Sequence, residues 1–297
     1  MSKIGFIGLG NMGLPMAINL KKAGHDVQGF DTVPDQIEKA KAEGIAIAAS
    51  AADAARGAEI IVTMLPNGAI VSAVYAQIVP VATRGALLID SSTIDVSTAK
   101  SLHGQASTAG LLSLDAPVSG GIGGAAAGTL TFMCGGSREA FEKAGPALDV
   151  MGGKIILCGE GGAGQAAKIC NNMLLSISMI GACEAFALAE KLGLSAQAAF
   201  DVMSTSSGSC WPVNVYCPVP GVGPKSPADN DYKPGFAAEL MLKDASLAQQ
   251  AATEVGQATP MGQYAATLYQ HFLANGGAGK DFSGIIEYLK RAQRGNV

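Results

Sequence analysis

A glycine pattern close to the N-terminus limits the possible folds more than any other feature of this 297-residue chain. The glycines directly follow the apolar run Lys3–Ile7, which is typical of a buried strand, and they precede a helical pattern. Glycine here allows a tight turn, lets the backbone approach a pyrophosphate and lets the helix pack close to the strand. The helix N-terminus then offers free N–H groups and a partial positive charge to phosphates. The pattern therefore predicts a dinucleotide-binding turn formed by Gly8, Gly10, Asn11, Met12 and Gly13.

Asp31 ends the second predicted strand, eighteen positions beyond Gly13. An acidic residue at this place binds the ribose hydroxyls of a dinucleotide and repels a 2′-phosphate. Thr32 and Val33 follow it, so no arginine is present there to receive that phosphate. The sequence therefore favours NAD over NADP as the cofactor. The alternative is a glycine-rich turn in an α/β protein that binds no nucleotide.

Short β-rich runs alternate with helical patterns as far as about residue 160. Segments such as Pro34–Glu43 and Asp95–Ala109 have a composition that favours helices. Unbroken apolar strands that alternate with helices predict a mostly parallel sheet covered on both faces. The predicted strands are Lys3–Ile7, Val27–Asp31, Glu59–Leu65, Ala86–Asp90, Leu111–Asp115, Thr129–Cys134 and Lys154–Cys158.

Strand patterns end after Gly164, and long helices dominate the rest of the chain. We predict helices at about 165–192, 195–205, 237–255, 260–275 and 282–293. The irregular segment Ser206–Gly235 contains Trp211, Tyr216 and Tyr232, which favour a packed loop over a disordered one. The chain is thus predicted to have an α/β Rossmann-type N-terminal domain, residues 1–162, and an all-α C-terminal domain, residues 163–297. The second domain is expected to bind substrate and to dimerise, and a long interdomain helix joins the two.

Lys168 is the only charged residue between Glu160 and Glu184, in a predicted helix that is apolar on most sides. Such a helix is buried, and burying an ammonium group is costly. Burial favours the neutral amine, which is the form that a general base requires. Asn172 lies four positions further on, on the same helix face, where it can hold the amine or share a substrate hydroxyl. The alternative is a lysine near the helix start that extends its charged end to solvent.

Ser119, Gly120 and Gly121 follow another predicted strand. Open parallel sheets bind their ligands at the carboxyl ends of strands. A serine hydroxyl beside closely approachable backbone N–H groups can hold a carboxylate. The segment therefore predicts a substrate-carboxylate site, and the alternative is a flexible glycine-rich loop.

Composition and spacing argue against several other classes of function. Charged residues make up 15% of the chain and the net charge is −4, with no basic patch typical of nucleic-acid binding. The six cysteines lack CxxC spacing, and no cluster has metal-ligand spacing, so we predict reduced thiols and no metal site. His25, His103 and His271 each stand without a carboxylate at useful spacing. We expect them to be structural, which argues against the histidine–aspartate pair of lactate-type dehydrogenases.

The sequence predicts a cytoplasmic protein that does not cross a membrane. No charged leader or presequence pattern precedes the first strand. The apolar stretch Met173–Ala189 is interrupted by Glu184 and is shorter than the ~20 apolar residues that span a bilayer.

Several motifs together resemble the β-hydroxyacid dehydrogenase family, most closely its 3-hydroxyisobutyrate dehydrogenase branch. They occur in the family's order over residues 4–244, so the resemblance covers most of the chain. The motifs are GFIGLGNMGLPMA near the start, MLP at Met64–Pro66, DSSTI at Asp90–Ile94, DAPVSGG at Asp115–Gly121, GAGQAAKICNNMLL at Gly162–Leu175, SSGSCW at Ser206–Trp211, YCPVPGV at Tyr216–Val222, GF at Gly235–Phe236 and LMLKD at Leu240–Asp244.

The resemblance implies a role for each matching residue. Lys168 is implied to be the catalytic base, assisted by Asn172, which also contacts the substrate together with Ser119, Gly120 and Gly121. Cofactor contacts are implied for Met64, Leu65, Pro66, Thr93 and Lys243, the last reaching across from the helical domain. The family's imine-reducing relatives lack the lysine, and its glyoxylate and succinic semialdehyde reductase relatives carry an arginine after the second strand. This chain has the lysine, Lys168, and has no arginine after its second strand.

For three residues of the predicted helical domain, the sequence leaves two interpretations of their role open. Trp211 is either a wall of the substrate pocket or an anchor of its own loop. Phe236 either packs on the nicotinamide or closes the start of its helix, and the resemblance favours the cofactor. Lys243, beside Asp244, would otherwise pass as an ordinary surface pair.

The leading functional expectation is NAD-dependent oxidation of 3-hydroxyisobutyrate to methylmalonate semialdehyde in valine breakdown, by a homodimer or homotetramer. The nearest alternative is the same chemistry on L-serine, a serine derivative or tartronate semialdehyde. A more distant alternative is a non-catalytic nucleotide-binding module, which would have no use for a buried base.

Overall fold

The computed structural model describes residues 1–292 and divides into two compact units, Met1–Lys168 and a second that begins at Ile169. The first unit contains one sheet with helices on both faces. Its strands are β1 (Lys3–Ile7), β2 (Asp26–Phe30), β3 (Ala46–Ile47), β4 (Ile60–Thr63), β5 (Leu87–Asp90), β6 (Leu112–Asp115), β7 (Val118–Ser119), β8 (Leu130–Gly136) and β9 (Gly152–Gly159).

The strand order is β3-β2-β1-β4-β5-β6-β8-β7, and β9 pairs with β8. From β3 to β6 every pairing is parallel, whereas β8 runs antiparallel to both β6 and β7. The chain order reverses between β1 and β4, the place where doubly wound sheets bind dinucleotides. The predicted Rossmann-type sheet is confirmed. The two-residue strands β3 and β7 are too short to leave an alternating pattern, and the sequence does not predict them.

Alternating residues of the strands pack on opposite faces of the sheet, as strand geometry requires. Ile4 and Phe6 of β1 belong to one apolar core, and Ile7 belongs to the other. The covering helices are α1 (Gly13–Lys22), α2 (Pro34–Ala42), α3 (Ala51–Ala55), α4 (Gly68–Ile78), α5 (Val96–Thr108), α6 (Gly121–Ala127) and α7 (Arg138–Met151). Polar side chains cap several of them: Asn67 accepts from Ile70 N, and Asp95 from Thr98 N.

The second unit is helical, as predicted. After α8 (Ala163–Lys191), which begins in the first unit, come α9 (Ala196–Thr205), α10 (Trp211–Asn214), α11 (Ala238–Glu254), α12 (Pro260–Phe272) and α13 (Ile285–Ala292). The predicted helix 260–275 is shorter as an α-helix, which ends at Phe272. A π-helical turn follows over Leu273–Gly277, and the helical path breaks within it at Asn275 and at Gly276, which has a φ of +92°. The irregular segment is packed: the Tyr232 side chain is buried and its hydroxyl donates to Pro218 O at 2.9 Å.

Helix α8 is the one helix among residues 1–292 that is long and apolar enough to span a membrane. Met179, Cys183 and Phe186 on this helix lie in the core of the second unit. Polar Lys168 and Asn172 are also buried. Part of α8 therefore packs within the protein.

Candidate active site

The glycine-rich turn connects β1 to α1 as the sequence predicts. Gly8 has a φ of +96°, which other residues adopt only under strain, and a β-carbon there would collide with Met64 O. A β-carbon at Gly13 would collide with Gly8 O, so strand and helix lie as close as backbones permit. Gly10 differs, because beyond its own atoms and its two neighbours no atom of residues 1–292 lies within 4 Å of the place where its β-carbon would be. Open space at Gly10 leaves room for a ligand to approach the backbone.

The start of α1 offers N–H groups to an anion. The capping position is Met12, which makes no side-chain capping hydrogen bond, and neighbouring Asn11 is exposed. Asp31 follows β2 and lies against the glycine-rich turn: Oδ2 accepts from Leu9 N at 2.6 Å and Oδ1 from Val33 N at 2.8 Å. Turn and carboxylate thus lie at one edge of the sheet, where a ribose and a pyrophosphate can be bound together.

Met64, Leu65 and Pro66 follow β4 at the same edge, and Thr93 follows the neighbouring strand β5. The two segments are tied together by Leu65 N, which donates to Ser92 Oγ at 2.9 Å. The structure therefore brings these four predicted cofactor residues to the carboxyl ends of adjacent strands.

Asp90, the last residue of β5, is a buried carboxylate beneath this loop. Its Oδ1 accepts from Thr63 Oγ1 at 2.7 Å and from Ser92 N at 3.2 Å. Its Oδ2 has no hydrogen-bond partner among residues 1–292. Burial, opposed by those hydrogen bonds, raises the pKa of Asp90 to about 6.

Ser119, Gly120 and Gly121 do not form a flexible loop. Ser119 pairs with Thr131 at the end of β7, and α6 begins at Gly121. Gly120 and Gly121 have φ values of +134° and +62°, which favour glycine strongly. The Ser119 side chain and the glycine backbone therefore lie at a turn between strand and helix, which is compatible with the predicted carboxylate site.

Lys168 is buried, with 7% of its surface exposed. Its Nζ donates to Val118 O at 2.7 Å, the residue immediately before Ser119. Because this contact joins α8 to β7, the amine lies beside the predicted carboxylate site. The interpretation of Lys168 as a solvent-reaching lysine is wrong.

His103 was expected to stand without a carboxylate, and this prediction is wrong. Its Nε2 lies 2.8 Å from Asp115 Oδ1, and its Nδ1 lies 2.5 Å from Ser113 Oγ. The pairing arises because α5 packs along β6, which places residues twelve positions apart side by side. Asp115 also accepts from Gly162 N and Gln165 N. No local spacing indicates such contacts, although a polar residue at a strand end is a weak signal.

In the second unit, Asn172 is linked to Lys243 through a residue that the sequence does not single out. Asn172 Nδ2 donates to Asp244 Oδ2 at 2.6 Å, and both side chains are buried. Lys243 Nζ lies 3.5 Å from Asp244 Oδ1. The idea of an ordinary surface pair is therefore wrong, because α11 directs Asp244 inward.

Trp211 and Phe236, also in the second unit, belong to one aromatic row. Trp211 stacks on Tyr216 with ring centroids 4.9 Å apart, Tyr216 contacts Phe282, and Phe236 meets Phe282 edge to face at 5.6 Å. Buried Asp281 organises the row: it accepts from Tyr216 Oη at 2.9 Å and from Phe236 N at 2.9 Å. Trp211 is 46% exposed, so one of its faces remains available to a ligand.

Two family profiles match successive parts of the chain. The NAD binding domain of 6-phosphogluconate dehydrogenase matches residues 3–159. The family described as NAD-binding of NADP-dependent 3-hydroxyisobutyrate dehydrogenase matches residues 162–289.

Individual relatives match over nearly their full length. A probable 3-hydroxyisobutyrate dehydrogenase of Mycobacterium tuberculosis is 51% identical over 290 residues, 98% of each chain. A protein of Pseudomonas aeruginosa named NAD-dependent L-serine dehydrogenase is 48% identical over 296 residues, 97% of this chain and 98% of that one. A solved structure of M. tuberculosis 3-hydroxyisobutyrate dehydrogenase with L-serine has a TM-score of 0.94 at 51% identity, covering 97% of this chain and 99% of the other. These matches confirm the resemblance that the motifs predict.

Proposed function

The chain belongs to the 3-hydroxyisobutyrate dehydrogenase family of NAD-dependent hydroxyacid dehydrogenases, and from this premise we propose its substrate and catalytic residues. The proposed reaction is the oxidation of 3-hydroxyisobutyrate to methylmalonate semialdehyde, a step of valine breakdown, with Lys168 as general base. The observation that carries the proposal is the buried Lys168 amine, 2.7 Å from Val118 O and next to Ser119.

The residues at the sheet edge fit NAD. The open space at Gly10 accepts a pyrophosphate beside the N–H groups that begin α1, and Asp31 presents its carboxylate to ribose hydroxyls. Bound there, NAD would supply the acceptor for the hydride that leaves the hydroxyl-bearing carbon. We assign cofactor contacts to the turn, to Asp31, to the two strand-end segments and to two residues of the second unit: Gly8, Gly10, Asn11, Met12, Gly13, Asp31, Met64, Leu65, Pro66, Thr93, Phe236 and Lys243.

Lys168 is proposed to remove the hydroxyl proton of the substrate. In its neutral form the Lys168 amine, held by its hydrogen bond to Val118 O, can accept a proton at Nζ. General-base assistance of this kind contributes ~10²–10⁴-fold to the rate. In the reverse direction the ammonium at Nζ returns the proton to the carbonyl oxygen.

Ser119 and the backbone N–H groups of Gly120 and Gly121 are proposed to hold the substrate carboxylate. This orientation places the hydroxyl group toward Lys168, and correct orientation lowers the barrier independently of the base. Asn172 and Trp211 are assigned as further substrate contacts, and Asn172 as a partner of the catalytic base.

L-serine is the second candidate substrate, and two relatives favour it: the P. aeruginosa protein is named for it, and the M. tuberculosis structure contains it. L-serine and 3-hydroxyisobutyrate share a carboxylate and a hydroxymethyl group and differ in an ammonium group against a methyl group. The same base and carboxylate site therefore fit both acids. Tartronate semialdehyde, reduced in the opposite direction, is a further member of this group.

The substrate assignment is tested by NADH formation with 3-hydroxyisobutyrate, L-serine and 3-hydroxypropionate, supplied separately to the purified chain. We expect the highest kcat/KM with 3-hydroxyisobutyrate. A higher value with L-serine would replace the assigned substrate and keep the mechanism, whereas turnover of none of the three acids would overturn the proposal.

We also propose a homodimer or homotetramer in the cytoplasm. Support for self-association comes from the exposed leucines of α8 in the second unit, because Leu174, Leu188 and Leu192 are 65%, 58% and 77% exposed. Light scattering after size-exclusion chromatography measures the mass directly, and a monomer would contradict the proposal.

A further inference from the structure

The start of α8 is bound by a carboxylate from a distant part of the first unit. Asp115, the last residue of β6, accepts from Gly162 N at 2.7 Å through Oδ1 and from Gln165 N at 2.8 Å through Oδ2. The first turn of a helix has N–H groups without intrahelical partners, and its dipole favours a negative charge. Asp115 therefore caps the helix that carries Lys168.

Asp115 is in turn held by His103. A carboxylate can only accept, so Nε2 of His103 carries the proton that it shares with Asp115 Oδ1 at 2.8 Å. The other ring nitrogen contacts Ser113 Oγ at 2.5 Å, which sets the orientation of the ring. The carboxylate thus has a side-chain donor in addition to its two backbone donors.

The helix start lies directly on the sheet, with no spare room. A β-carbon at Gly164 would come within 2.6 Å of Asp115 O, and one at Gly135 of β8 within 2.5 Å of Asp115 Oδ1. A β-carbon at Gly161 would come within 2.6 Å of the His103 ring. Because these surfaces are in close contact, a change in the position of Asp115 or His103 moves the helix start itself.

Gln165 connects the same helix turn to the segment that contains Thr93. The Gln165 side chain is fully buried, accepts from Ile94 N at 3.1 Å and donates to Ser92 O at 2.8 Å. The first turn of α8 is therefore bonded to the carboxyl ends of both β5 and β6.

We propose that His103 is a positioning residue for the general base, acting through Asp115 and the first turn of α8. Lys168 lies three positions after Gln165 on this helix, and its Nζ reaches Val118 O, three positions after Asp115. The distance from Nζ to the reacting hydroxyl is therefore set by the same carboxylate that caps the helix. The inference rests on the proposed role of Lys168 as base.

The row Ser113, His103 and Asp115 also has the composition of a hydrolytic triad, but its surroundings exclude that role. The cavity beside these residues has a volume of about 10 Å³, which holds one water molecule at most. This space is too small for an acyl substrate, and we assign the row to contacts within the protein.

The test compares His103→Leu, which removes the donor to Asp115, with His103→Gln, whose amide can still donate. The assay follows 3-hydroxyisobutyrate, or L-serine if that acid turns over faster, with and without deuterium on the hydroxymethyl carbon. We expect His103→Leu to lower kcat about 10- to 100-fold, the size typical of a misplacement near 1 Å. KM for NAD should stay within about twofold, because a loss confined to the chemical step leaves cofactor binding intact. The isotope effect on kcat should rise, because hydride transfer becomes the slow step.

Restoration of kcat to within about threefold by His103→Gln would support the proposal, because the regained donor again holds Asp115 and hence the helix start. A loss of thermal stability with an unchanged isotope effect would show a purely structural role and would overturn it. The matched control is His25→Leu, which removes a histidine of the same unit that accepts from Ser2 N at 3.2 Å, and it should keep wild-type kinetics.

Two further variants complete the test. If His103→Leu does not fold, Ser113→Ala removes the contact that orients the ring, and a normal isotope effect and kcat in that variant would overturn the proposal. Lys168→Ala separates the two claims. Full turnover in Lys168→Ala would overturn the proposed function, whereas its inactivation together with wild-type kinetics in His103→Leu would overturn only the positioning role.

Discussion

The proposed cofactor side and the proposed substrate side of the sheet edge in the first unit are built from different kinds of contact. On the cofactor side the chain at Gly8 and Gly13 packs backbone against backbone, and the half-buried Asp31 carboxylate accepts from Leu9 N. On the substrate side the side chains of Asp115 and Gln165 are buried, and they tie the first turn of α8 to His103 and to the segment that follows β5. The difference indicates that cofactor affinity and the rate of the chemical step can be changed separately.

The two sides meet at a pair of aspartates, Asp90 and Asp115, which are direct register partners at the ends of β5 and β6. Asp115 receives hydrogen bonds on both oxygens, whereas Asp90 receives them on Oδ1 only among residues 1–292. Burial raises the pKa of Asp90 to about 6. Two equally buried carboxylates thus differ in the number of donors that face them.

The largest expected effect is that of Lys168→Ala on kcat. Loss of the general base should lower kcat by ~10²–10⁴-fold, with KM for NAD within about twofold because the cofactor side is untouched. Steady-state NADH formation measures both values. The matched control is Lys39→Ala, on the exposed surface of α2. A near-normal kcat for Lys168→Ala would show that Lys168 is not the general base.

The next effect, about 3 kcal/mol, is the pH dependence of stability that Asp90 causes. Its pKa in the folded protein, about 6, exceeds the value of 3.8 expected when unfolded. The folded state therefore binds the proton more tightly, and the stabilisation present below pH 3.8 is lost as the pH rises through about 6. At 1.36 kcal/mol per pKa unit the loss approaches about 3 kcal/mol.

Asp90→Asn cannot titrate, yet it keeps an oxygen for Thr63 and Ser92. Denaturant unfolding measures the free energy of unfolding of both proteins from acid to neutral pH. The value for Asp90→Asn should rise relative to that of the wild type as the pH increases. Asp115→Asn is the matched comparison: its amide would face the N–H donors of the α8 start, so it should destabilise by about 1–3 kcal/mol at neutral pH. If both substitutions changed the free energy of unfolding equally and independently of pH, the different roles assigned to Asp90 and Asp115 would be contradicted.

Asp31→Asn should weaken NADH binding by about 10- to 100-fold, since hydrogen bonds to a charged group contribute about 1.5–3 kcal/mol. The affinity for NADPH should stay the same or increase, because the substitution removes the charge that repels the 2′-phosphate. Fluorescence titration with both cofactors gives the two Kd values. A parallel loss for NADH and NADPH would mean that Asp31 only supports the glycine-rich turn.

The smallest effect is expected for Gly10→Ala, a rise in Kd for NADH of about tenfold. Beyond Gly10 and its two neighbours, no atom of the described part of the chain lies within 4 Å of the added carbon. The variant should therefore keep its thermal stability while the methyl group occupies space needed by the pyrophosphate. Gly104→Ala on α5 adds a carbon in an equally open place and should leave Kd unchanged. An unaltered Kd in Gly10→Ala would show that the phosphates lie elsewhere.

The cofactor side could be predicted from the sequence because its signals are local. The glycines follow one strand directly and Asp31 follows the next, so strand order alone places them together. The alternation of strands and helices likewise predicts the sheet, because each element has its own periodicity. Two-residue strands such as β7 have none.

The substrate side could be predicted only in part. Lys168 is conspicuous as a lone charge in an apolar helix, and its burial follows from that pattern. Asp115 and Gln165 are fifty positions apart in the sequence, and His103 meets its carboxylate only because α5 packs on β6. Asp244 has the sequence neighbours of a surface residue, and only the packing of α11 shows that it is buried.

Single-turnover hydride transfer in Lys168→Ala, at a saturating concentration of NAD, tests the central claim most directly. Stopped-flow measurement of NADH formation separates the chemical step from cofactor binding, and the Kd for NADH is measured on the same preparation. We predict a slowing of hydride transfer by ~10²–10⁴-fold with an unchanged Kd. A wild-type rate of hydride transfer, or a loss explained by weaker NADH binding, would contradict the assignment of Lys168 to a substrate side that can be changed separately from the cofactor side.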